Sequence, residues 1–116
     1  GKIESLEVLY SGKPIENLTI TKIVFWNAGR DIINSQDIAS SNPLIVRVKD
    51  GCKILDAKVI YTKDPVNQFS ITTADDQSYT TLNFEYLDKD EGGVIQILHT
   101  GKSSEDIEVR GTLKKG

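Results

Sequence analysis

Leu18-Thr19-Ile20-Thr21-Lys22-Ile23-Val24-Phe25-Trp26-Asn27-Ala28-Gly29 is the stretch on which the fold turns. Val, Ile, Thr, Phe and Trp suit a pleated, half-buried backbone, so Leu18 to Asn27 is expected to be a β-strand. Asn27 and Gly29 are expected to reverse the chain by supplying positive φ angles. Within the strand Ile20, Val24 and Trp26 share one phase, and Thr19, Thr21, Ile23 and Phe25 share the other. Apolar groups on both faces near its end predict a central strand, with Trp26 and Val24 in the core.

Similar runs recur every ten to twelve residues between turn signals, the spacing of an all-β sandwich rather than of βαβ units. A first strand is expected over Ser5 to Tyr10, with a turn at Ser11-Gly12-Lys13-Pro14. Arg30 to Pro43 is polar and anchored by Ile32, Ile33 and Ile38. It reads as an ordered connection containing a short edge strand or a single helical turn starting at Ser35. Leu44 to Val48 and Lys53 to Tyr61 alternate on either side of Asp50-Gly51, which predicts a hairpin. Further strands are expected over Gln68 to Thr72, Leu82 to Tyr86, Val94 to Thr100 and Ile107 to Leu113. The expected fold is therefore an antiparallel, immunoglobulin-like β-sandwich of about eight strands. It forms one domain over residues 1–116, with Trp26, Val24, Leu55, Val59, Leu82, Phe84, Ile107 and Val109 in its core.

The composition narrows the function classes. A net charge of −3 among 116 residues removes the basic field that nucleic-acid binding needs. No polybasic cluster favours anionic lipid, and no apolar run approaches the roughly 20 residues that span a bilayer. The start at Gly1-Lys2 without a methionine anywhere reads as an excised piece of a longer protein.

Reactive residues are few and scattered. His99 is the only histidine and shares a phase with Ile95 and Ile97, so a structural role is expected rather than general-base work. Cys52, beside Gly51, has no histidine placed by sequence to activate it. Asp88, Asp90, Glu91 and Gly92 open like a calcium loop but lack its distal bidentate glutamate, so an ordinary acidic turn is expected. No catalytic, metal or cofactor-binding residue is assigned, and the chain is read as a non-enzyme. Asn17-Leu18-Thr19 matches a glycosylation acceptor and is read as a chance match. Tyr79, beside a polar turn, and Tyr10 are the aromatic residues left free to form a ligand surface.

The run from Leu18 to Ile33, with Asp37-Ile38 and Pro43-Leu44-Ile45-Val46, resembles the Ig-like sandwich domains of uncharacterised bacterial proteins. In those domains a strand ends in Asn-x-Gly, an aliphatic and acidic connection follows, and membrane-spanning helices often adjoin. The likeness extends through Gly51 to Ala57 and to the final strand at Ile107 to Gly111. It implies a membrane-tethered module, an extramembrane domain of a membrane-anchored bacterial protein, and assigns no functional residue. The expectation is a non-catalytic interaction or spacer module with a protein partner, contacted through edge strands. A small-ligand or carbohydrate-binding module using Tyr79 and Tyr10 is the alternative.

Overall fold

The computed structural model describes residues 6–15 and 18–114, and the side chains of Val8 and residues 10–15 lie outside that description. The glycosylation match at Asn17 therefore falls outside the described residues. Ten strands follow in order: β1 (Leu6–Ile15), β2 (Leu18–Asn27), β3 (Ile33–Asn34), β4 (Ile45–Val48), β5 (Ile54–Thr62), β6 (Ser70–Thr73), β7 (Tyr79–Asn83), β8 (Tyr86–Leu87), β9 (Gly92–His99) and β10 (Ile107–Arg110). Eight have four residues or more, and β3 and β8 form a two-residue pair. The remaining elements are single 3₁₀ turns at Ser35–Asp37, Pro65–Asn67 and Ser104–Asp106, the first in the connection where either a short edge strand or a helical turn was expected.

Two antiparallel four-stranded sheets enclose the core, one in the order β1-β2-β9-β5 and the other in the order β10-β4-β7-β6. Only β1–β2 and β6–β7 join chain neighbours within a sheet. Every other step between these eight strands crosses from one layer to the other, as in Greek-key sandwiches. Ile23, Phe25, Ile54, Ile95 and Ile97 face the core from the first sheet, against Val46, Val48, Leu82 and Ile107 from the second. Phe25 and Phe69 meet as tilted rings with centroids 6.2 Å apart, a favourable aromatic geometry.

Several expectations are corrected. Asp50-Gly51 is a corner between the sheets, not a hairpin, because β4 and β5 belong to opposite layers. Both strands must cover the same core, and Gly51 at φ 89° supplies the left-handed residue that turns the corner. β1 runs through Ser11-Gly12-Lys13-Pro14 to Ile15 instead of turning there. At a sheet edge the missing N–H of Pro14 is tolerated. β9 begins at Gly92, two residues before the expected Val94.

Asn27 and Gly29 adopt no positive φ: among the described residues only Gln68, Gln77, Asp90, Gly51 and Gly111 do. Asn27 instead ends β2, fully buried, and its side chain holds the reversal. Its Nδ2 donates to the carbonyls of Asp31 (2.8 Å) and Leu87 (2.9 Å), and its Oδ1 accepts from Gly29 N–H (2.9 Å).

Of the expected core, Leu82, Phe84 and Ile107 are buried, and Val59 and Val109 are partly buried against the cluster. Trp26 and Val24 are only half-buried, on the outer face, while Leu55 is 45% exposed. In β2 the inward phase is Thr19, Thr21, Ile23, Phe25 and Asn27, all buried. Along β5 the register with β9 shifts between Ile54 and Asp56 and again between Val59 and Tyr61. Each shift inserts one residue and reverses the phase beyond it, which turns Leu55 and Tyr61 outward.

Candidate functional site

The outer face of the β1-β2-β9-β5 sheet carries the candidate site. Strand register sets Tyr61, Val94, Val24 and Leu9 in one cross-strand row, and Gly92, Trp26 and Glu7 in the next. Tyr61 is 56% and Leu9 62% exposed, and Ile60 is exposed beside them at the second register shift. On the other flank Lys58, Gln96 and Lys22 form a polar row.

Between these rows lies a hollow of about 130 Å³, lined by Val24, Trp26, Tyr61, Lys63, Asp90 and Gly92 among others. Gly92 gives Trp26 no side-chain neighbour on β9, so the space beside the indole stays open. Lys63 and Asp90 stand at the hollow, and their side chains carry no hydrogen bond or ion pair among the described residues. Two aromatic rings and two uncommitted polar groups can therefore grip a flat or apolar moiety and orient it.

A second cavity, of about 170 Å³, lies where the Ser35 to Pro43 connection meets β7. Ile38, Leu44, Leu82 and Phe84 line it together with Ser, Thr and Asn, so no ionisable group points to chemistry there.

The sequence-predicted ligand residues are not brought together. Tyr79 opens β7 in the opposite sheet, paired in register with Arg47 and 39% exposed. Tyr10 lies in β1 opposite Ile23, and its side chain is outside the described residues. Cys52 is half-buried against the core after the Gly51 corner. In the acidic turn, Glu91 Oε1 accepts from Asp88 N–H (2.8 Å) and from Asn67 Nδ2 (3.1 Å), so this carboxylate is engaged in holding the turn.

His99 is fully buried in β9. Its Nδ1 accepts the N–H of Gly101 (3.2 Å), which leaves the proton of the neutral ring on Nε2 to donate to Thr21 Oγ1 (2.8 Å). Thr19 Oγ1 in turn donates to Gly101 O (2.6 Å). This network explains why two threonines occupy core positions of β2. Burial pushes the imidazole below its ordinary value of 6.5, although the Asp106 carboxylate opposes the shift.

The unfolded chain binds this proton more readily than the native state, so native stability declines as pH falls below about 6.5. Urea midpoints are expected to drop between about pH 7.5 and pH 5.5. A His99→Gln variant should lack that drop, and an equal drop in both proteins would remove His99 as its source.

Sequence reasoning missed Trp26 and Tyr61 as surface residues. For Trp26 a signal was present: Lys22 shares its phase, and an unpaired lysine is almost never buried. For Tyr61 there was none, because alternation cannot reveal a register shift against another strand. Comparison with family models, with curated proteins and with solved structures finds no match.

Proposed function

We propose that this chain is a non-catalytic interaction module, and that it engages a protein partner through the outer face of the β1-β2-β9-β5 sheet. One observation carries the reading: Trp26 and Tyr61 flank a hollow on a face where the row that holds Tyr61 is otherwise aliphatic, with Val94, Val24 and Leu9. Trp and Tyr are the residue types that dominate binding energy at protein interfaces, above all when they flank a pocket that a partner side chain can fill. On the resemblance to Ig-like bacterial domains, the module belongs to a membrane-anchored protein and doubles as a spacer that holds this face away from its tether. No helix among the described residues is long and apolar enough to cross a membrane.

Trp26→Ala and Tyr61→Ala serve as the test. Both side chains lie outside the core cluster, so the variants should keep the wild-type far-UV spectrum. Each is expected to weaken retention of the partner, recovered from source cells with the full-length parent, by roughly tenfold or more. Retention unchanged in both variants would remove this face from the interaction.

The uncommitted Lys63 and Asp90 beside two aromatic rings favour a second reading, a small-ligand or carbohydrate module. Ring faces pack on the apolar face of a pyranose while the charged groups meet its hydroxyls. Trp26 is the only tryptophan, so its fluorescence reports on the hollow. Saturable quenching by an oligosaccharide, lost in Tyr61→Ala and retained in Tyr79→Ala, would establish this reading in place of the first.

A further inference from the structure

We infer that His99 is an acid-operated latch: on gaining a proton its Nδ1 gives up the N–H of Gly101 for the carboxylate of Asp106, and the loop from Gly101 to Asp106 is released while both sheets stay folded.

This loop ties the two layers at one end, since it leads from β9 in one sheet to β10 in the other. His99 Nδ1 holds its Gly101 N–H, Thr19 Oγ1 holds its Gly101 carbonyl, Asp106 Oδ2 accepts from Lys102 N–H (2.7 Å), and Asp106 O accepts from Lys49 N–H (2.8 Å). Just before it, Thr100 is fixed to Lys53 by two bonds, from its own N–H to the Lys53 carbonyl (3.0 Å) and from Lys53 N–H to its Oγ1 (2.9 Å). Gly101 is buried, and a Cβ on it would lie 2.8 Å from His99 Nδ1 and 3.0 Å from Asp106 Oδ2. Ring nitrogen and carboxylate thus border the same small space, with Gly101 between them.

In the neutral ring Nδ1 is an acceptor, and Gly101 N–H satisfies it. A second proton makes Nδ1 a donor, so one N–H then points at another and the bond is lost. Nε2 is a donor in both forms, so its bond to Thr21 Oγ1 persists and keeps β9 joined to β2. The disturbance is therefore confined to the loop side of the ring. A buried imidazolium needs an anion. In register β2 sets Thr19 and β5 sets Ile54 beside His99, and neither carries charge. Asp106 is the charged group that acts on the ring. Behind it Lys49 Nζ stands 4.0 Å from Oδ1. The N–H of Lys102, and after it the Lys49 ammonium, hold the Asp106 carboxyl below the usual carboxylate range, so it is still an anion when the ring takes its proton. Gly101 must swing aside for the two to meet, and a glycine has the backbone freedom to do so.

Hydrogen exchange followed by NMR on the 116-residue chain reads the outcome amide by amide, with the intrinsic pH dependence of exchange divided out. Between about pH 7.5 and about pH 4.5 the protection of the Gly101 amide is expected to fall about tenfold or more beyond any fall at Ile95 and Ile97. Imidazole nitrogen shifts should show Nε2–H alone at the upper end and both nitrogens protonated at the lower. In Asp106→Asn the side-chain oxygen still accepts from Lys102 N–H but the charge is gone, so the second proton should arrive only at a lower pH. In His99→Gln, which has no ring to titrate, Gly101 protection should stay level. A ring that stays singly protonated throughout overturns the proposal, as does a ring that titrates while Gly101 keeps its protection. Gly101, Ile95 and Ile97 losing protection together would show global unfolding in place of a latch. An Asp106→Asn ring that titrates where the wild-type ring does would remove Asp106 as the new partner.

Discussion

Gly92→Ala is expected to leave no folded protein. A Cβ at this position would lie 1.8 Å from the carbonyl oxygen of Phe25, 2.7 Å from its carbonyl carbon and 2.7 Å from the Cα of Trp26. All three are backbone atoms of β2, a central strand, and none can rotate aside as a side-chain tip would. Nor can β9 retreat in the other direction. At the next residue, a Cβ on Gly93 would sit 2.7 Å from the carbonyl oxygen of Tyr61 on β5. The start of β9 is thus held between two backbones by consecutive glycines, and one added methyl must separate strands that share the core. Far-UV circular dichroism and thermal melting decide the matter. Gly51→Ala is the control, since its φ of 89° is strained but the space around it is open. It should cost only about 1 kcal/mol. A Gly92→Ala protein that melts like wild type would refute the close approach of β9 to β2.

Asn27→Ala should be the next most damaging change, by about 3 to 5 kcal/mol. The amide is fully buried and makes three hydrogen bonds, to Asp31, Leu87 and Gly29. Truncation strands two carbonyls and one N–H, each at about 1 to 3 kcal/mol where water does not replace the partner. Marginal stability of about 5 to 15 kcal/mol makes such a loss visible as a large fall in the urea midpoint. Asn27→Asp gives a sharper test, because it keeps the volume and the acceptor for Gly29 but turns a carboxylate oxygen toward two carbonyls. It is expected to fall at least as far as the alanine variant. If Asn27→Asp were as stable as wild type, the donated bonds would carry none of the effect.

Much of the architecture was readable from residue types alone. Turn residues at regular spacing and β-branched runs lead to an antiparallel sandwich, and Ser35 to Asp37 forms a helical turn, one of the two forms expected of that connection. What alternation could not supply was the side on which each run lies. In β2 the inward face contains two threonines, because His99 and Gly101 on the neighbouring turn and strand satisfy their hydroxyls. A pattern of apolar residues reads such a face as the outer one and sends Trp26 inward. The Asp50-Gly51 reversal is likewise ambiguous, since the same left-handed residue serves a hairpin or a corner between layers. The candidate site inherits both uncertainties: Trp26 reaches the surface through the first, and Tyr61 through register shifts set by a partner strand distant in sequence.

The alternation of strands between the two layers has a kinetic consequence. β2 finds its neighbour β9 only after the chain has passed through β4, β5, β6 and β7, and β4 meets β10 only at the far end. Neither sheet can therefore be completed while the other is still unmade, and most pairings must await closure of long loops. Such a molecule is expected to fold slowly and to open as a unit, with hydrogen exchange in β2, β7 and β9 limited by one common global event. A partner that grips the outer face of one sheet would thereby steady the other sheet as well.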